Sequence, residues 1–256
     1  VTDGDGVTEE ERQLAYWDER LAGAPERLEL PHDHSRPKTP SFRGDTVNFE
    51  VPASVVANLD IVARQHHTTS FMVIHAAFAM LLNRISGRDD LVIGTPFAGR
   101  GEQSLDDVVG MFVNTLALRT RVRPGERFVD LLERVRNDDL ADMSHTDVAF
   151  ENIASRVLPK SPTSYNPVYQ VMLAFQDVEF PTLQFDRLTV EPIHEELASA
   201  KVDLQLTLFP NDPERDERGG ALRAQFLYAT DLFDRATIDR MAQRYLQLLE
   251  AVADDP

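Results

Sequence analysis

The stretch "VGMFVNTLALR", residues 109–119, decides how the rest of the chain is read. With its flanks, "VVGMFVNTLALRTRV" at 108–122, it reads as one long strand. Asn114 and Thr115 set a small polar pair inside this otherwise apolar run. A buried amide or hydroxyl is costly unless it is hydrogen-bonded. The pair therefore serves either as an internal pairing group or as donors lining a channel, and the stretch alone leaves both open.

Working outward, "DLVIGTPF" (90–97) reads as a buried strand, separated from the first by the polar loop "AGRGEQSLDD". Before it, "SFMVIHAAFAMLLNRIS" (70–86) carries Phe71, Ile74, Phe78, Leu81 and Ile85 at helical spacing, with Thr69 as N-cap and Gly87 as stop. A second helix is expected over 54–65, where Val55, Leu59 and Val62 share a face. It follows a strand at 46–51. The stretch 24–45 is an extended connector, because Pro25, Pro31, Pro37 and Pro40 remove donors and disfavour helix. "ERQLAYWDERLAG" reads as a short helix ended by Gly23, and residues 1–12 as a flexible acidic tail to a single body over 13–256.

Downstream, helices are expected at 126–143 and 147–158. Strands follow at "NPVYQVMLAFQDV" (166–178), "TLQFDRLTVEPI" (182–193), "KVDLQLTLFP" (201–210) and "GALRAQFLYAT" (220–230). A closing helix turns Ile238, Met241, Tyr245 and Leu248 inward. Mixed βα units and a run of strands imply an α/β sandwich, a mixed sheet with helices packed on it.

Composition narrows function. The net charge of −17 argues against nucleic acid, because phosphate repels such a surface. Without cysteine there is no disulfide, thiolate metal site or cysteine nucleophile, which fits a reducing compartment such as the cytoplasm. No apolar run reaches the roughly 18 residues of a membrane span, and the acidic N-terminus is unlike a signal peptide.

The obvious catalytic candidate is the pair His66–His67, which falls between two expected helices with no aspartate following closely to orient an imidazole. It reads as a helix end. His75 reads as a satisfied, partly buried core residue beside an apolar stripe. "HDH" at 32–34 sits in the proline-rich connector, where turn chemistry explains it as well as a metal would. G-x-G-x-x-G, P-loop and G-x-S-x-G patterns are absent. Two further segments resemble the Asn114–Thr115 anomaly. "SYNPVYQVMLAFQD" places Asn166 before a proline and Gln170 in a buried-looking strand. "SHTDVAFENI" gathers His145, Asp147 and Glu151, the carboxylates reading as an N-cap and a first-turn charge. Arg119, Arg121 and Arg123 alternate, either as a solvated strand edge or as a contact for an acidic partner.

In this order and spacing, these segments resemble the second half of a condensation domain of nonribosomal peptide synthetases, over nearly the whole chain. "YWDERLAGAPERLELPHDHSRP" looks like the entry to that family's C-terminal lobe. "VGMFVNTLALR" matches its Val-Gly-x-Phe-Val-Asn-Thr signature at every fixed position. "HTDVAFE" is similar to His-Gln-Asp-x-Pro-Phe-Glu, with Thr146 and Ala149 departing. "SYNPVYQVML" resembles Arg-Asn-Pro-Leu-Phe-Gln-Val with Tyr165 in place of the arginine, and "AKVDLQLTL" also fits.

The resemblance implies a chloramphenicol acetyltransferase-like lobe, one of two flanking a tunnel, in an enzyme forming amide bonds between substrates on the phosphopantetheine arms of carrier proteins. Partners implied are upstream and downstream peptidyl carrier proteins, a downstream adenylation domain and the N-terminal lobe. No cofactor, metal, nucleic acid or membrane is implied for the chain itself. The family's catalytic motif, His-His-x-x-x-Asp-Gly, belongs to the N-terminal lobe. Counted from His66, its Asp and Gly positions hold Phe71 and Met72, so the pair is a coincidence and no catalytic residue is expected here. The expected tunnel-side, substrate-binding groups are Asn114, Thr115, Asn166 and Gln170. An epimerisation domain or heterocyclising relative of the same superfamily, and a non-catalytic docking module, are the alternatives; the intact "FVNT" disfavours the first two.

Overall fold

Helix α3 (Ser70–Ser86) shows how local sequence builds the core. Thr69 accepts the Met72 amide at 3.2 Å to start it, and Gly87, at φ +68°, ends it in the left-handed conformation glycine adopts without strain. Ten of its 17 residues are buried, including Ile74, Phe78 and Leu81.

The computed structural model describes residues 7–99, 108–158, 164–176, 199–209 and 220–256. Around α3 lie α1 (Glu9–Arg20), β1 (Gly44–Val51), α2 (Ala53–Gln65), β2 (Asp90–Ala98), β3 (Val113–Arg121), α4 (Phe128–Met143), α5 (Phe150–Val157), β4 (Val171–Phe175), β5 (Leu204–Phe209), β6 (Leu222–Ala229) and α6 (Arg235–Asp254). The strand expected at 182–193 lies outside the described residues.

The sheet runs β1-β6-β5-β4-β2-β3. Pairs β4–β5 and β2–β4 are parallel and the others antiparallel, so the sheet is mixed. Period-2 alternation splits the core in two. Leu91 and Ile93 of β2 join the larger cluster with α2, α3, α4 and α6, whereas Val92 joins Trp17, Leu116, Leu118 and Ile153 beneath α1 and α5.

Three boundaries differ from expectation. Helix α1 starts at Glu9, inside the expected tail, because Thr8 and Glu11 form a reciprocal capping box. Strand β3 starts at Val113, not 108, since its partner β2 ends at Ala98, opposite Val113. Val109 and Met111 ahead of it are 100% and 91% exposed. Strand β4 is confined to 171–175. Pro167 carries no amide hydrogen, and Val168 turns at φ +71°.

Candidate functional site

Asn114 sits at the head of edge strand β3. Its Nδ2 donates to the carbonyls of Thr146 (3.1 Å) and Val148 (2.8 Å). Its Oδ1 accepts from the amides of Phe150 (3.1 Å) and Thr115 (2.9 Å). Two donors and two acceptor positions are all the side chain has, and all are spent. Phe150 opens α5, whose N-cap, Ala149, has no capping side chain. Asn114 therefore caps α5 from a distant strand. Asp147, expected as the cap, is not; Glu151 stands in the first turn as expected.

Gln170, 1% exposed, is committed in the same way. Its Oε1 accepts from the Leu28 amide and its Nε2 donates to the Asn166 carbonyl at 2.9 Å. It pins the connector after α1 to the 164–170 turn.

Thr115 and Asn166 instead neighbour Tyr169, which sequence reasoning missed: burial raises its phenol pKa, while the two side chains act in the opposite direction. The Tyr169 ring lies 5.1 Å from that of Phe150 and directly over Gly94, where a Cβ would stand 2.6 Å from ring carbons. Glycine at 94 is what lets the ring approach the β2 backbone. Asn166 Oδ1 is buried and has no partner.

The histidines divide clearly. His66 is the C-cap of α2, and His67 follows at φ +54° with its carbonyl accepting from Arg136 at 2.8 Å. His75 is fully buried rather than partly. Its Nδ1 lies 3.0 Å from Asp139 Oδ2 and its Nε2 3.1 Å from Thr120 Oγ1, joining α3, α4 and β3. The triad of residue types resembles a hydrolase site, but all three side chains are sealed in the core. His145 stacks on Tyr16 at 3.7 Å. In "HDH", Asp33 accepts from the Asp234 amide and the Thr237 hydroxyl, capping α6. Among the described residues no group of three or more His, Asp or Glu is placed to hold a metal ion.

The arginine row is not a uniform face. Arg119 is 4% exposed, forked onto Asp90 (2.9 and 2.7 Å), and its Nη1 donates to the carbonyls of Arg20 and Ala22 at the end of α1. It is structural, because α1 covers that part of β3. Arg121 is the exposed member on the strand. Burial works against the Asp90 carboxylate, but the Arg119 hydrogen bonds and the charges of Arg119 and Arg121 outweigh it and hold its pKa below the ordinary range. A second buried pair adjoins the first: Arg20 bonds Asp142 at 2.8 Å, where Tyr16 also donates at 2.6 Å.

With this geometry, the likenesses to known proteins are specific. The profile of the Condensation domain family matches residues 5–256. The isonitrile lipopeptide synthase of Mycobacterium tuberculosis is 39% identical over 244 residues, covering 95% of this chain and 10% of that protein. The dimodular nonribosomal peptide synthase of Bacillus subtilis is 38% identical over 244 residues, covering 95% of this chain and 10% of that protein. This chain thus spans a small fraction of these relatives' length. Among solved structures, the X-domain from teicoplanin biosynthesis superposes with a TM-score of 0.85 at 31% identity, covering 99% of this chain and 56% of that one. The four-domain synthetase holo-AB3403 gives 0.86 at 25% identity, covering 97% and 20%. Matched along almost its entire length, the chain belongs to the condensation domain family of nonribosomal peptide synthetases and has that family's α/β fold.

Proposed function

We propose that the chain is the C-terminal lobe of a peptide-bond-forming condensation domain and supplies one wall of the passage in which two carrier-bound substrates meet. The observation carrying this reading is that nearly all of the chain superposes on 56% of the teicoplanin X-domain chain. The His-His-x-x-x-Asp-Gly pattern does not occur in the 256 residues, which agrees with a lobe that does not handle the proton.

The reaction sets what each wall must do. The acceptor amine attacks the thioester carbon, a C–N bond forms, the C–S bond breaks, the pantetheine leaves as thiolate, and the one ammonium proton passes to a base that returns it to the sulfur. In this reading the base lies in the other lobe. Thr115 and Asn166, gathered at Tyr169, are the wall groups that orient substrate amides. Asn114 and Gln170 hold that wall in place rather than touching substrate. The substrates ride on the phosphopantetheine arms of upstream and downstream carrier proteins, and an adenylation domain loads the acceptor. Among the described residues no single helix is long and apolar enough to cross a membrane.

The test is a condensation assay with two loaded carrier domains, run on the chain alone and on the chain continued upstream along its own reading frame. The reading expects a dipeptidyl thioester only from the continued protein. Turnover by the chain alone, or a D-residue in place of a dipeptide, contradicts it.

A second reading, a docking platform, is favoured by one observation: an X-domain 32% identical to this chain has been captured in complex with OxyB. Affinity capture with carrier proteins and OxyB as rival baits separates the two. Retention of OxyB and no carrier supports the platform.

A further inference from the structure

The connector between α1 and β1 crosses the start of α6 and is clipped to it through "HDH" at 32–34. The amides of Asp33 and His34 both donate to the Leu232 carbonyl, at 2.9 and 3.1 Å. The Asp33 carboxylate spends one oxygen on the Asp234 amide and the other on the Thr237 hydroxyl, and His34 Nε2 lies 2.9 Å from Asp234 Oδ1. Asp33 and His34 therefore fasten the outer side of this strap. His32 faces inward, its ring nearly perpendicular to that of the buried Phe233, with centroids 5.3 Å apart.

His32 Nε2 is sealed from solvent and has no partner among the described residues. A neutral imidazole can leave one nitrogen bare, whereas an imidazolium must donate from both. A proton placed on Nε2 would be a buried donor without an acceptor, a costly state. The charges around the ring do not offset this. Arg36 and Arg27 oppose a further positive charge. Asp203 and Asp33 favour it, but Arg36 forks Asp203, through Nη1 at 2.8 Å and through Nη2, and both Asp33 oxygens are spent on α6. Burial first, and the guanidinium charges after it, hold the His32 pKa below its ordinary value.

We propose that His32 is a proton-operated release for this strap: neutral, it seats the connector on the start of α6, and protonated, it unseats it. Because the neutral ring belongs to the folded state, the seat is at full strength above the unfolded value near about 6.5 and weakens as pH falls from there toward the folded value. The release reaches further, since the strap also carries Leu28, whose amide bonds Gln170, and Arg36, which bonds the Ser164 carbonyl at 3.4 Å. The turn bearing Asn166 loses both fastenings with it. The strap is independent of the reaction proposed above.

The test uses the chain itself. Histidine ring NMR, with His32 identified by its ring contacts to Phe233, should show it titrating below about 6.5. Hydrogen exchange at the Asp33 amide, corrected for its intrinsic pH dependence, should lose about tenfold or more in protection between about pH 7.5 and 5.5, the factor that one pH unit of linkage provides. His32→Leu, which fills the same apolar seat and takes up no proton, should hold its protection within about twofold over that range. His34→Asn, which removes the outer imidazole, should keep the parent's response. A His32 midpoint at or above about 6.5 overturns the release. So does a protection profile that is the same in the parent and in His32→Leu, or a response lost in His34→Asn. The NMR midpoint decides by itself if His32→Leu fails to fold.

Discussion

Replacing Asn114 with alanine removes a clasp, not a substrate contact, and the two ideas differ in what they expect of the isolated chain. Three of the side chain's bonds reach beyond its own neighbour: to the Thr146 and Val148 carbonyls and from the Phe150 amide. At a net of about 0.5–1.5 kcal/mol each, they contribute roughly 2–4 kcal/mol. For a chain of this size, about 2–4 °C of melting temperature accompanies each kcal/mol, so Asn114→Ala should melt roughly 4–16 °C lower with no ligand present. Asn114→Asp should be at least as damaging. It keeps the acceptor for Phe150 but turns the nitrogen that makes two donations into a single oxygen facing two carbonyls. Urea unfolding followed by circular dichroism measures both, and the slope with denaturant checks that the unfolded reference is unchanged. An Asn114→Ala protein within about 0.5 kcal/mol of the parent would refute the clasp and return Asn114 to the substrate side.

Other consequences follow from the same contacts. Arg119→Ala leaves Asp90 only its longer contact with Arg121 and frees the Arg20 and Ala22 carbonyls, and should cost about 1–3 kcal/mol in urea unfolding, whereas Arg119→Lys, without the fork, should recover only part of it. Gly94→Ala pushes a methyl into the Tyr169 ring and should cost about 1–3 kcal/mol; combined with Tyr169→Leu, the cost should be visibly less than additive, read by a double-mutant cycle. Because the Asp90 pKa is depressed in the folded state, its contribution is complete above its unfolded value near about 4 and is lost as pH falls through the folded value. Acid titration of urea midpoints should therefore show a shallower loss below about pH 4 in Asp90→Asn than in the parent, and parallel curves would count against the pair.

How much was legible depended on how local each cause was. Helix α3 carried its stripe, cap and stop within 19 residues, so every part of it could be read from the chain. The capping box of α1, Thr8 with Glu11, is equally local, but the acidic residues around it read as a tail. The start of β3 depends on where β2 ends, a pairing that no local pattern encodes. Asn114 stood out as a polar residue in an apolar strand, but its partners lie 32 to 36 positions away, so pairing and lining looked alike. Asp139 and Asp142 of α4 carry no local sign of their burial. They are fully buried because His75 comes from α3 and Arg20 from α1 to meet them. Arg119 alternates with Arg121 as expected of one strand face, and only the position of α1 makes the first a core residue and leaves the second in water.

In the proposed reading the adjacent histidines are bystanders, and a second lobe handles the proton in amide formation. The most direct measurement is the condensation rate of the upstream-continued protein carrying His66→Ala with His67→Gly, the glycine accommodating the positive φ at 67. A rate within about twofold of the parent is expected. A loss of a hundredfold or more, the scale of a missing general base, would contradict it.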